Sequence, residues 1–141
     1  MKKYINYSFV YAILALISGV FFREYTKMNN FAGKTQLSFA HVHLFALGTI
    51  FIILVGLLAL FSNVEEKKTF RVFWRLYNLS LPFMCVMFVV RGVLEVSGKS
   101  LSKAANSSIS GIAGITHMLM AISLVMLFFG LKKAKFKGRM E

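Results

Sequence analysis

The stretch LSFAHVHLFALGTIFIILVGLLALF, residues 37–61, decides the fold of this chain. It contains no Asp, Glu, Lys or Arg. A helix needs about 20 consecutive apolar residues to cross the hydrocarbon core of a bilayer. Only a structure that pairs its own backbone groups is stable there. Residues 37–61 are therefore predicted to form one membrane-spanning helix.

Three further apolar runs of similar length predict three more spans, at about residues 4–22, 76–96 and 109–131. The first run follows two lysines, as in a signal peptide, but it has no small-x-small cleavage site and is interpreted as a retained anchor. The predicted fold class is an all-α membrane protein, a four-transmembrane-helix bundle that forms one domain over residues 1–141.

Local features refine the third span and the loop after it. Pro82 predicts a kink, because proline removes a backbone donor inside a helix. Trp74 and Tyr77 lie where an interfacial aromatic belt is expected. Residues 97–110 are rich in Ser, Gly, Ala and Asn, which predicts a mobile loop on the outer side.

Charge and cysteine content exclude several classes of protein. Lys and Arg number 17 against 5 Asp and Glu, and they cluster between the apolar runs, where they can meet anionic lipid headgroups. A nucleic-acid interface would need basic residues interleaved with aromatics on one face, so no nucleic-acid partner is predicted. The single cysteine, Cys85, lies within a span, which excludes an internal disulfide, a thiolate cluster and a covalently attached c-type haem.

The distribution of Lys and Arg also predicts the orientation. If the N-terminus is inside, eleven of these residues lie on the cytoplasmic side and five on the outer side. The eleven are Lys2, Lys3, Lys67, Lys68, Arg71, Arg75, Lys132, Lys133, Lys135, Lys137 and Arg139, and the five are Arg23, Lys27, Lys34, Lys99 and Lys103. The positive-inside rule then favours both termini in the cytoplasm and a multi-pass protein of the bacterial plasma membrane.

Five ionisable residues fall within the spans, and the predicted orientation brings all of them into the outer half of the membrane. They are His41 and His43 in the second span, Arg91 and Glu95 in the third, and His117 in the fourth. Ionisable residues inside a membrane are rare and mark functional sites by default. Arg91 and Glu95, four residues apart, can also simply pair with each other.

Small residues near the histidines suggest room for a flat ligand. Gly114 precedes His117 by three residues, and Gly48 follows His43 by five. A histidine beside a glycine-lined slot in a helical bundle is one way to hold haem, and Arg91 is suited to a haem propionate. His41 and His43 project to nearly opposite sides of their helix. His43 is the favoured partner of His117, because it is deeper by about 3 Å.

The segment AHVHLFALG, residues 40–48, resembles the His-x-His helix of haem–copper oxidase and nitric oxide reductase catalytic subunits. The resemblance implies that His41 would ligate a high-spin haem and His43 a low-spin haem. Those subunits have roughly a dozen spans, whereas this chain has four. It also has no adjacent His-His pair to bind copper, and it lacks the catalytic glutamate that follows the histidines in that family. The whole chain also resembles small four-helix bacterial membrane proteins with the same segment.

Three functions remain open at this point. The leading hypothesis is a cytochrome b-like protein with non-covalent haem b, ligated by His117 and by His43 or His41, that serves electron transfer, gas or redox sensing, or haem handling. The second is a copper or zinc site formed by His41, His43 and His117. The third is an accessory subunit without a cofactor, in a homo-oligomer or with a respiratory partner. An enzymatic activity of the chain by itself is not predicted.

Overall fold

Four long helices form the protein, which we describe from a computed structural model covering residues 1–138. Arg139, one of the eleven basic residues predicted on the cytoplasmic side, lies outside the described residues. The helices are α1 (Lys2–Met28), α2 (Leu37–Leu60), α3 (Lys68–Val96) and α4 (Lys103–Lys132). All four are long and apolar enough to cross a membrane. The prediction of an all-helical fold with four such segments is confirmed.

Two helices begin earlier in the chain than the apolar runs suggest. α3 begins at Lys68 rather than near residue 76, and α4 begins at Lys103 rather than near residue 109. The side chain of Ser102 accepts a hydrogen bond from the backbone N–H of Ala105 at 3.2 Å and so caps α4. The prediction of a loop over residues 97–110 is therefore wrong, since only residues 97–102 connect the two helices.

α3 is the central helix of the arrangement. It packs against α4 along its length and against the first turns of α2, while α1 packs along α2. α4 makes its main contacts with α3. α2 and α4 are therefore joined mainly through α3.

One face of α1 packs closely on α2 because glycines of α2 leave space for tyrosines. The buried residues of α1 recur every three or four positions, at Tyr4, Ser8, Tyr11, Ala15 and Ser18. A Cβ atom on Gly48 would lie 2.5 Å from Cγ of Tyr11, and one on Gly56 would lie 2.8 Å from Cγ of Tyr4. These glycines allow close approach of the two helices.

α2 changes its winding directly after the histidines. Leu37–His43 is α-helical, Leu44–Phe51 is a π-helix, and Ile52–Leu60 is α-helical again. The wider turn leaves the carbonyl of Leu47 able to accept a hydrogen bond from the hydroxyl of Tyr77, at 2.9 Å. The prediction that Tyr77 belongs to an interfacial belt is wrong, because its side chain is fully buried in the core.

The turn after α2 lies at one end of the helices, and the first and last described residues of the chain meet there. Glu65 in this turn accepts hydrogen bonds from Tyr4 Oη at 2.5 Å and Lys3 Nζ at 3.2 Å. Asn63 accepts a hydrogen bond from the backbone N–H of Lys135 at 2.8 Å. We call this the terminal end, and the opposite end, formed by residues 29–36 and 97–102, the histidine end.

Candidate functional site

The beginning of α2 is held firmly against α3 at the histidine end. A Cβ atom on Gly92 would overlap the backbone nitrogen of Leu37 and lie 2.5 Å from its Cβ, so only glycine permits this approach. The hydroxyl of Thr35 donates to the Gly92 carbonyl at 3.2 Å, and a carboxylate oxygen of Glu95 accepts from the backbone N–H of Gln36 at 2.7 Å. An acidic group at a helix N-terminus is stabilising. The histidine-bearing turns that follow are therefore anchored.

Arg91 links α3 to α4 one turn before Glu95. Its Nε atom lies 3.7 Å from Oε1 of Glu95, and its Nη1 atom donates to the hydroxyl of Ser110 at 2.9 Å. The ion pair expected from the four-residue spacing is present. The guanidinium has more donors than these two contacts occupy, since an arginine carries five N–H groups.

His43 and His117 have the same local geometry on their separate helices. Nδ1 of His43 lies 2.9 Å from the carbonyl oxygen of Phe39, and Nδ1 of His117 lies 2.8 Å from that of Ala113. A carbonyl oxygen only accepts, so each Nδ1 carries the hydrogen. In the neutral rings Nε2 therefore presents a lone pair, which is the form in which histidine ligates a metal.

Phe88 of α3 contacts both of these histidines. Its ring centroid lies 4.7 Å from that of His43 and 5.7 Å from that of His117. The contact with His117 is edge-on, at an interplanar angle of 80°. The sequence suggests that a flat ligand lies directly between His43 and His117, whereas the structure brings both rings onto one phenyl ring.

A cavity of about 380 Å³ opens beside His117 between α3, α4 and Gln36, the residue directly before α2. We call it the histidine cavity, and its walls include Met87, Phe88, Arg91, Ala113 and His117. His43 does not line it. The cavity therefore combines one exposed imidazole, apolar walls and one guanidinium.

A second cavity, of about 460 Å³, lies between the end of α3 and the beginning of α4. We call it the basic cavity, since Arg91, Lys99 and Lys103 line it together with Glu95. Arg91 lines both cavities, which makes them neighbours. The sequence places Lys99 and Lys103 on the outer side but does not predict that they lie close to Arg91. That closeness depends on the short connection between α3 and α4.

His41 faces the other side of α2, toward α1. Its ring stacks on Phe22 with centroids 6.1 Å apart, and a Cβ atom on Gly19 would lie 3.8 Å from its ring. Its Nδ1 atom is buried and makes no hydrogen bond with any described residue. The prediction that His41 and His43 project to opposite sides is confirmed.

The predicted glycine-lined slot is not present. Tyr11 fills the space beside Gly48, as described above. A Cβ atom on Gly114 or on Gly111 would meet no atom of the described residues within 4 Å, so both glycines lie on an open face of α4. Room beside His117 comes instead from the separation of α3 and α4 at the histidine cavity.

The geometry also bears on the hypothesis of a copper or zinc site. Within residues 1–138 no three His, Cys, Asp or Glu side chains are grouped so that they could hold one metal ion. His41 and His43 diverge because Leu37–His43 remains α-helical. Cys85 is buried, and its Sγ lies 4.0 Å from the carbonyl oxygen of Ala40.

The chain thus combines four helices long and apolar enough to cross a membrane with two histidines at one end whose Nδ1 atoms are hydrogen-bonded to carbonyl oxygens of their own helices. The chain belongs to the family described as "Protein of unknown function (DUF2871)", which it matches over residues 1–134. No curated protein and no solved structure matches it. The function is therefore proposed from the residues of the site.

Proposed function

We propose that this protein is a multi-pass membrane protein that binds haem b non-covalently at the histidine end, where His117 would ligate the iron. The observation that carries the proposal is the state of the His117 ring. Its Nδ1 is bonded to the Ala113 carbonyl, and its exposed imidazole lines a cavity. Fixing one ring nitrogen orients the other toward a metal.

The walls of the two cavities suit the different parts of a haem. Met87, Phe88 and Ala113 offer an apolar surface to a porphyrin ring. Arg91, Lys99 and Lys103 offer cations to two propionates, and the only acid among the lining residues, Glu95, is already bonded to Gln36. Volumes of about 380 and 460 Å³ lie within the usual range for cofactor sites.

When bound, haem would supply iron chemistry, namely one-electron transfer or the binding of a small gas. The protein's own residues would hold and position it. His117 would ligate the iron, the apolar walls would exclude water, and Arg91 with the two lysines would orient the propionates. His43 is the second candidate ligand, because its Nδ1 is bonded in the same way as that of His117.

The orientation in the membrane is part of the same proposal. We infer that the terminal end faces the cytoplasm and that the histidine end lies toward the outer face of a bacterial plasma membrane. The count of eleven Lys and Arg residues against five supports this orientation. Haem would then be held in the outer half of the bilayer.

The cofactor can be tested on the purified protein by visible spectroscopy. The protein is expressed with added 5-aminolevulinate, extracted in mild detergent, and measured oxidised and after addition of dithionite. The proposal expects a Soret band that moves on reduction. A colourless protein that carries stoichiometric copper or zinc would contradict the proposal and favour an ion site.

The propionate contacts can be tested separately from the iron ligand. The double variant Lys99→Gln/Lys103→Gln should release haem to apomyoglobin faster than the wild type, without a change in the visible spectrum. Lys132→Gln/Lys133→Gln is the matched control, because these lysines lie at the terminal end. Equal release rates in both variants would contradict the assignment of the basic cavity.

A further inference from the structure

The aromatic ring of Phe88 packs against both of the histidines that could ligate one iron. α2 carries His43 and α4 carries His117, and both helices pack against α3. Phe88 lines the histidine cavity and also contacts His43 at 4.7 Å between centroids. His43 itself is not part of the cavity wall.

Neighbouring groups hold the Phe88 ring and the His43 ring in this arrangement. Phe39, whose carbonyl oxygen bonds Nδ1 of His43, also packs on Phe88 with centroids 5.9 Å apart. His43 therefore has its Nδ1 engaged from one side while the phenyl ring of Phe88 packs against it. Because Phe88 lines the histidine cavity and His43 does not, we expect the His43 imidazole to reach the cavity only past the Phe88 ring.

We propose that Phe88 restricts the haem to a single histidine ligand, His117, and leaves the opposite axial position for a small diatomic gas. The inference rests on the proposed function and narrows it. A haem with two histidine ligands has no free axial position and suits electron transfer, whereas a haem with one histidine binds gases. The ligand class is a neutral diatomic molecule, for which carbon monoxide is the probe.

The test compares the wild type with Phe88→Ala, Phe88→Ala/His43→Ala and the control Phe83→Ala. Phe83 lies on the same helix with an exposed side chain, so its removal does not open the histidine cavity. The reduced proteins are titrated with carbon monoxide, and the visible spectrum reports the coordination number. Wild type and Phe83→Ala should be five-coordinate and should bind carbon monoxide.

Removing the phenyl ring should let His43 reach the iron. Phe88→Ala should then show the sharp visible bands of two histidine ligands. Its apparent affinity for carbon monoxide should fall about tenfold if His43 occupies the axial position nine-tenths of the time. Phe88→Ala/His43→Ala should recover the spectrum and the affinity of the wild type.

Several outcomes would overturn the inference. A six-coordinate wild type that loses its sixth ligand in His43→Ala would show that Phe88 does not block His43. A five-coordinate Phe88→Ala protein would show that another group sets the coordination number. If Phe88→Ala fails to fold, the coordination number of the wild type compared with that of His43→Ala still shows whether His43 ligates the iron. A wild type without haem would overturn the proposed function as well, whereas a six-coordinate one would leave it standing.

Discussion

Replacing Gly92 with alanine should disturb the histidine end more than any other single methyl group added to α3 or α4. The new Cβ would overlap the backbone nitrogen of Leu37 and lie 2.5 Å and 2.6 Å from its Cβ and Cα. Ordinary contact distances between carbon atoms are about 3.5–4.0 Å, so α2 has to move by roughly 1 Å. The atoms in the way are backbone and the root of a side chain, which cannot rotate aside.

The cost follows from the contacts that this movement breaks. Overpacking a close-packed contact costs about 1–3 kcal/mol. The hydrogen bonds from Thr35 to the Gly92 carbonyl and from Gln36 to Glu95 contribute about 1 kcal/mol each where they are lost. Gly92→Ala should therefore lower the free energy of unfolding by about 1–3 kcal/mol if both hydrogen bonds survive and by about 3–5 kcal/mol if both are lost.

The assay is unfolding by sodium dodecyl sulfate in mixed micelles. Trp74, the single tryptophan, packs edge-on against Tyr4 with centroids 5.1 Å apart, so its fluorescence reports separation of α1 from α3. Gly111→Ala and Gly114→Ala are matched controls, since their Cβ atoms would meet no described atom within 4 Å, and each should change the stability by less than about 0.5 kcal/mol. Equal losses in all three variants, or a stable Gly92→Ala protein, would refute the reasoning.

Three further predictions concern other parts of the chain. Gly48→Ala should destabilise by about 1–3 kcal/mol because its Cβ would meet the base of the Tyr11 ring, and the loss should be smaller in a Tyr11→Ala background, as measured by a double-mutant cycle. Hydrogen bonding from Tyr4 and then Lys3 holds the pKa of Glu65 below its ordinary value of 4.5. This contact stabilises the fold above that value and is lost as the pH falls through the lowered pKa, so Tyr4→Phe should weaken the acid dependence of the unfolding midpoint, and an unchanged dependence would contradict the assignment. A reporter fused after Glu141 should be active on the cytoplasmic side. An external signal would contradict the proposed orientation and would place the histidines toward the inner face.

The number of helices and the positions of their apolar segments follow from hydrophobic length, because a run such as residues 37–61 would have no other stable form in a bilayer. The gathering of His43, Arg91 and His117 at one end also follows, since adjacent spans run in opposite directions. The divergence of His41 from His43 is a property of helical geometry. These parts of the site need only local periodicity and chain direction.

Other parts of the site depend on contacts between distant residues and have no local signal. The π-helix after His43 accompanies the hydrogen bond from Tyr77 to Leu47, thirty positions apart. Phe88 is one of fifteen phenylalanines, and the residues next to it in the sequence do not distinguish it from phenylalanines with exposed side chains, such as Phe83. Gly48 and Gly114 both lie in apolar runs near a histidine, yet Tyr11 covers the first and the second faces outward. The polar first turns of α3 and α4 fall outside any hydrophobic window, which is why their early starts are missed.

The most direct test of the account is the haem content of two histidine variants purified in parallel. His117→Ala should lose most of its haem, measured as the pyridine haemochrome per chain, because the only histidine that lines the histidine cavity is removed. His41→Ala should retain the haem content of the wild type, since its ring faces Phe22 and Gly19 on the other side of α2. Full haem content in His117→Ala, or equal losses in both variants, would contradict the assignment of the site.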